Sequence, residues 1–201
     1  MQHRPSISRH ALRKSSGSEN ATKPYHYFQT INWTRYPISE RDFRVSYSEH
    51  GTNGVNAPSD VSFLPLLFAV LAISVRLAPD SIAGDARTRR VTSLRYYWSS
   101  RRSLLIAAVI QPDSLDIVLT RLLSARFLTF DRRITECYSQ LGAAVKTAQA
   151  LGLHRDGANM NMEPHLVEYR RRIWSYLYQF VQPDNMDHGI NCLEVRIAPT
   201  P

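Results

Sequence analysis

The chain has 201 residues, enough for one domain with a core of its own, and a hydrophobic share of 43%, close to ordinary globular usage. Its net charge of +8 comes from 25 Lys and Arg against 17 Asp and Glu, with 8 basic and 5 acidic side chains in residues 1–60 and 17 and 12 in the rest, so no basic tail stands out. Two cysteines, Cys137 and Cys192, exclude a disulfide framework and a cysteine zinc site. Basic charge favours nucleic acid or acidic partners, but no nucleic-acid docking motif accompanies it.

Residues 1–58 read as an irregular polar arm and linker. They are rich in Ser, Asn, His and Pro, with scattered aromatics such as Tyr27, Phe28 and Phe43. No helical period is visible there. Short extended pieces, for instance Phe43 to Tyr47, and some docking of aromatics onto the following domain are compatible with the pattern. Gly51 to Pro58 reads as a linker.

From residue 59 the pattern is helical. Ser59 or Asp60 caps a first helix that runs to about Leu77, with Pro65 tolerated near its start and Pro79 blocking continuation. The apolar run from Val61 to Val75 is short for a bilayer span, which needs about 20 residues. It reads as a helix buried on all sides, and no membrane association is expected. A second helix is predicted from about Asp85 to Val109, with Val91, Leu94, Tyr97, Trp98, Leu104, Leu105 and Ala108 as its apolar positions. Gln111-Pro112-Asp113 breaks it.

A third helix starts near Pro112 and ends near Phe130, with Asp113 and Asp116 placed to complement its dipole. The fourth carries a continuous stripe from Ile134 through Cys137, Leu141, Ala144 and Ala148 to Leu151, with small residues such as Gly142 allowing close helix approach. Gly152 suits a left-handed C-cap, and Leu153 the apolar contact that accompanies it. The fifth begins near Glu163-Pro164 and buries Leu166, Val167, Ile173, Trp174, Leu177 and Tyr178. Its arginines, Arg170 to Arg172, read as a solvated face, since successive helical residues point about 100° apart. Residues 182–201 read as an irregular tail. The fold class is all-α, a multi-helix bundle after an irregular N-terminal arm.

Five segments carry a resemblance. The apolar helix Phe63 to Val75 comes first, then Tyr96-Tyr97-Trp98 followed by Arg101-Arg102-Ser103-Leu104-Leu105, then the helix opened by Gln111-Pro112. Leu151-Gly152-Leu153-His154-Arg155 and the helix Glu168 to Tyr178 complete the set. In order, spacing and residue type they resemble the middle regulatory region of fungal zinc-cluster transcription factors. The resemblance places a partial regulatory domain over 59–181, with Leu151, Gly152, Leu153, His154, Arg155, Arg171, Arg172 and Trp174 as signature residues of structural rather than catalytic role.

The resemblance implies a non-catalytic transcription regulator acting on RNA polymerase II transcription in the nucleus. It implies protein partners, a second copy of the chain among them. DNA and zinc binding belong to a six-cysteine N-terminal cluster that residues 1–60, without any cysteine, do not contain. No catalytic, cofactor-binding or metal-ligating residue is expected in this chain. Beyond Tyr178 the sequence departs from the family's continuation, which reads as a truncated product or a gene model that has lost its frame. The alternatives are a helical protein-interaction scaffold or a truncated non-functional product. An enzyme is disfavoured, because the sequence has no glycine-rich phosphate loop, nucleophile elbow or His-Glu-x-x-His motif.

For single residues, His154 reads as a dipole-complementing histidine at a helix C-terminus, Arg155 and Asp156 as ion-pair formers, and Cys137, Trp174 and Tyr178 as core.

Overall fold

The computed structural model describes residues 24, 26–32, 38–53, 58–157 and 162–181. Among these residues all regular structure is helical. The elements are α1 (Glu40–Asn53), α2 (Pro58–Leu77), α3 (Asp80–Ala83), α4 (Ala86–Ile110), α5 (Leu115–Phe130), α6 (Ile134–Ala150) and α7 (Pro164–Val181), with a further helical segment at 26–30. The fold is all-α. The arm before residue 24, Cys192 and the tail over 182–201 lie outside the described residues.

Helix α2 is the spine. Its sequence is apolar nearly all round, so it gains most where neighbours cover every side. Val70, Ala72, Ile73 and Val75 are essentially inaccessible to solvent, and burying each branched side chain contributes about 1.5–3 kcal/mol. Helices α4 and α5 both pack on it, and α1 closes one end. Among the described residues no helix is long and apolar enough to cross a membrane.

Pro65 lies two turns inside α2 rather than in its first turn, because the helix already starts at Pro58; Ser59 and Asp60 are thus helical positions and not caps. Pro65 has no N–H to donate to the preceding turn. The crossing helix α4 comes close at this point, and the Ser100 hydroxyl donates to the Pro65 carbonyl at 2.7 Å. Ser93, Ser100 and Ala107 recur every seven residues on the buried face of α4. Their small side chains are what lets two helices cross this closely.

The connections follow local chemistry. Gly84, at φ 79°, stops the single turn of α3, and the Asp85 carboxylate then caps α4 by accepting from Thr88 N–H at 3.2 Å. Gln111 ends α4 before Pro112, and Ser114 caps α5 by accepting from Ile117 N–H at 3.3 Å. Asp113 therefore precedes the helix, and only Asp116 sits in its first turn.

Further sequence expectations are corrected by packing, the first in the N-terminal arm. The irregular arm assigned to 1–58 contains α1, and Phe43 to Tyr47 are helical, not extended. Ser39 caps α1 by accepting from Asp42 N–H at 3.4 Å, with Phe43 N–H on the Ser39 carbonyl at 3.0 Å. The Phe43 ring meets Phe28 at 5.0 Å and Phe63 at 5.2 Å between centroids, joining the N-terminal segment to the core. The linker reading of Gly51 to Pro58 fails at both ends, since Gly51 to Asn53 finish α1 and Pro58 opens α2.

Second, the apolar positions expected on α4 divide. Tyr97 and Leu104 are buried, whereas Val91, Trp98, Leu105 and Ala108 face outward. Third, Gly142 is exposed with nothing near the place a side chain would occupy, so the close approach expected of it is absent. Tyr178 and Leu166 are exposed as well.

Candidate functional site

The site grows from the end of α6. Leu151 is the C-cap, Gly152 adopts φ 70°, and its N–H donates to Gln149 O at 3.0 Å. Leu153 N–H reaches back to Ala148 O at 2.9 Å, completing a Schellman turn. That turn swings the Leu153 side chain into the core, where it is buried. His154 and Arg155 emerge into solvent, with Arg155 N–H on the Gly152 carbonyl at 3.1 Å.

Helix α7 returns against this turn. Pro164 occupies its first position, where a missing N–H has no cost. Val167, Ile173 and Leu177 form its buried face. Of the three arginines expected on a solvated face, Arg171 and Arg172 are exposed and Arg170 is half-buried, and each guanidinium has a separate partner. Arg170 Nη2 donates to the Leu151 carbonyl at 2.7 Å, satisfying the end of α6. Arg171 Nη2 pairs with Asp156 at 2.6 Å. Arg172 stays on its own helix near Glu168 at 3.7 Å. The His154 ring lies 6.0 Å from the partly buried Trp174 ring.

Of the eight signature residues, Leu151, Gly152, Leu153, His154, Arg171 and Trp174 thus form one clamp between the α6 turn and α7. Among the described residues Arg155 joins the turn through its backbone N–H alone, and Arg172 points to a different surface. Arg170, the arginine that closes the clamp, is not among the eight. Its only signal was membership of a basic run, which does not reveal direction. Cys137, the one described cysteine, is sunk in the core as expected, and burial pushes its thiol up to about 11. It is neither exposed nor ionised for metal binding, so the residues here do not fit a zinc cluster. Among the described residues no group of three or more His, Cys, Asp or Glu side chains is arranged to hold a metal.

Arg172 lines a cleft of about 500 Å³ that has Asn32, Ile38, Ser39 and Asp42 on one side and α7 on the other. Asn32 braces one wall, donating to Ile38 O at 3.0 Å and accepting from Ile38 N–H at 3.3 Å. The Tyr169 hydroxyl accepts from Ser39 N–H at 3.2 Å, and burial pushes that phenol up to about 12, so it stays neutral. Beside it, burial and then the charge of Asp42 push the Asp116 carboxyl up to about 6. Asp42, Glu168 and Arg172 give the cleft hydrogen-bonding and ionic walls suited to recognition.

The sequence pattern of the fungal specific transcription factor domain matches residues 25–180, nearly all of the helical body including α1 and the clamp. The chain belongs to this family. The domain is similar to Activator of stress genes 1 of Saccharomyces cerevisiae, at 24% identity over 123 residues, covering 59% of this chain and 12% of that protein. It is also similar to transcription factor yanR of Aspergillus niger, 30% identical over 123 residues, 59% of this chain and 15% of the relative. A transcriptional regulatory protein of Schizosaccharomyces pombe is 26% identical over 171 residues, 81% of this chain and 21% of its own length. The domain therefore spans about a fifth or less of the curated relatives it matches. No solved structure matches it significantly.

Proposed function

We propose that this domain is the non-catalytic regulatory body of a nuclear transcription regulator, exerting its effect through protein partners. The observation that carries the reading is the family match over 25–180, together with relatives that are named as transcription regulators. The clamp supports it physically. Its polar groups are spent on helix ends and ion pairs, which fixes the angle between α6 and α7 and makes the body a rigid surface rather than a reaction site. In this reading contact with DNA, and the zinc it requires, is supplied by a module other than these helices. A self-pair of the domain is one form the partnership takes.

The test is a tethered reporter. The full chain is fused between a heterologous DNA-binding domain and an activation segment in yeast, with a fluorescent tag to follow its location. The expected result is a nuclear fusion whose reporter output differs several-fold from the same fusion without the chain. A folded, nuclear fusion with unchanged output would overturn the regulatory reading. Exclusion of the tagged chain alone from the nucleus would overturn the assigned compartment.

A further inference from the structure

Helix α4 has two apolar faces, and only one is covered. Ser93, Tyr97, Ser100, Leu104 and Ala107 face α2 and the core. On the opposite side Val91, Trp98, Leu105 and Val109 fall on one line at helical spacing, about 27 Å long at 1.5 Å per residue. Leu105 is 67% exposed and Val109 87%, values at which an apolar side chain gains little from the fold. Trp98 is half exposed, its ring held edge-on to Tyr97 at 5.6 Å with Arg133 5.8 Å away, so a partner would meet a fixed indole. A shallow depression lined by Val91, Leu94, Arg95, Trp98, Ser99 and Arg102 opens along this line.

The charges that α4 itself carries on this face have one sign; from the N-cap of α6, Arg133 reaches Trp98 already paired with Glu136. Arg87, Arg95 and Arg102 share that sign, all exposed, and helix α4 contains no acidic residue. Among the described residues none of these three arginines is in an ion pair, in contrast to Arg76, Arg89, Arg133 and Arg171. We propose that the outward face of α4 is a docking surface for an acidic amphipathic helix of a protein partner, its apolar anchors packing on Trp98 and Leu105 and its carboxylates pairing with Arg95 and Arg102. This rests on the reading of the domain as a protein-binding body.

The same charges select against other occupants. A second copy packed antiparallel about Trp98 would set Arg95 of one chain against Arg102 of the other, a like-charge contact at the centre of the interface. Nucleic acid would use the arginines on phosphates and leave four apolar side chains without a partner. A helix laid in a groove satisfies both components, with apolar anchors a turn apart and acidic side chains between them.

The experiment uses the full chain and a fluorescein-labelled 20-residue helical peptide with Leu at every third or fourth position and Glu elsewhere on that face. Fluorescence anisotropy is expected to show saturable binding that weakens with added salt. Binding should fall at least tenfold in R95E/R102E, and as much in L105S/V109S, while far-UV circular dichroism and Tm stay unchanged. The R95E/R102E chain should in turn prefer the same peptide with Lys in place of Glu. Absence of saturable binding, or binding indifferent to both variants, would overturn the proposal. Tighter binding to phosphatidylserine vesicles or to a 20-base-pair duplex, or a dimer dissolved by L105S/V109S, would overturn it in favour of those occupants. Because these readouts need no reporter, loss of the docking surface is distinguishable from failure of the transcriptional reading.

Discussion

The turns on either side of α6 are the same device built from different residues. Before α6, α5 ends in a Schellman turn at Asp131, Arg132 and Arg133, with Arg133 N–H on Leu128 O at 3.0 Å and Arg132 N–H on Thr129 O at 3.1 Å. After α6 the turn is Leu151, Gly152 and Leu153. Each turn receives an arginine from a distant helix, Arg76 Nη2 on Phe130 O at 3.4 Å in one case and Arg170 Nη2 on Leu151 O at 2.7 Å in the other. The left-handed position is Arg132 at φ 55° in the first and Gly152 at φ 70° in the second. A non-glycine residue there carries a steric cost of about 1 kcal/mol. The first turn sustains it because Asp131, well buried, is held by Arg76 at 3.0 Å with Arg90 at 3.6 Å. A turn can thus be fixed by its own backbone freedom or by ion pairs from outside it.

The largest expected effect tests the second turn. Leu153→Ala empties a core position and should lower unfolding stability by about 3 kcal/mol, read from urea denaturation. A loss below about 1 kcal/mol would mean the turn does not anchor α7. Next, Arg76→Met strips the first turn of both its carbonyl donor and the main counter-charge of Asp131, and should cost about 2 kcal/mol. Arg170→Met removes one donor from the second turn and should cost about 1 kcal/mol. Equal losses would contradict the division of labour between the turns.

Asp116 touches neither turn and gives a comparison of similar size. Its folded pKa of about 6 is raised above the unfolded carboxyl value, so its contribution is fully present below about pH 4 and lost as pH rises through 6. Asp116→Asn should remove that loss, leaving the variant about 1–2 kcal/mol more stable than the parent at pH 7, after allowance for lost dipole pairing, with no such gain at pH 4. A constant difference across pH would place the strain elsewhere. The smallest changes probe the left-handed residues themselves. Gly152→Ala should destabilise by about 1 kcal/mol, while Arg132→Gly should stabilise by about 0.5 kcal/mol in thermal unfolding. If Arg132→Gly destabilises, the arginine serves the turn in a way its backbone does not reveal.

Of the two turns, only the second was legible in the sequence, for a matching reason. Gly152 after an apolar stripe announces a C-cap, because glycine is the residue the left-handed conformation favours, and Leu153 follows from it. Arg132 announces nothing, since its conformation is imposed by Asp131, Arg76 and Arg90, which lie far apart in the chain. The N-terminal helix was written in local signals that composition obscured. Ser39 precedes Asp42 by three residues, and Phe43 and Tyr47 stand one turn apart, yet the surrounding Asn, Ser and Gly argued for irregular chain.

What the sequence alone determined is local and periodic. It set the helical class, the buried run of α2, the glycine and proline stops, and the five ordered segments that carry the family resemblance, because each depends on spacing within a few turns. Only the tertiary structure decided which of two apolar faces of α4 meets the core, where three consecutive arginines point, and that Phe43 belongs to the domain. Those outcomes depend on which surfaces arrive opposite one another in space. The free energy of burial and ion pairing acts on that arrangement and not on order along the chain.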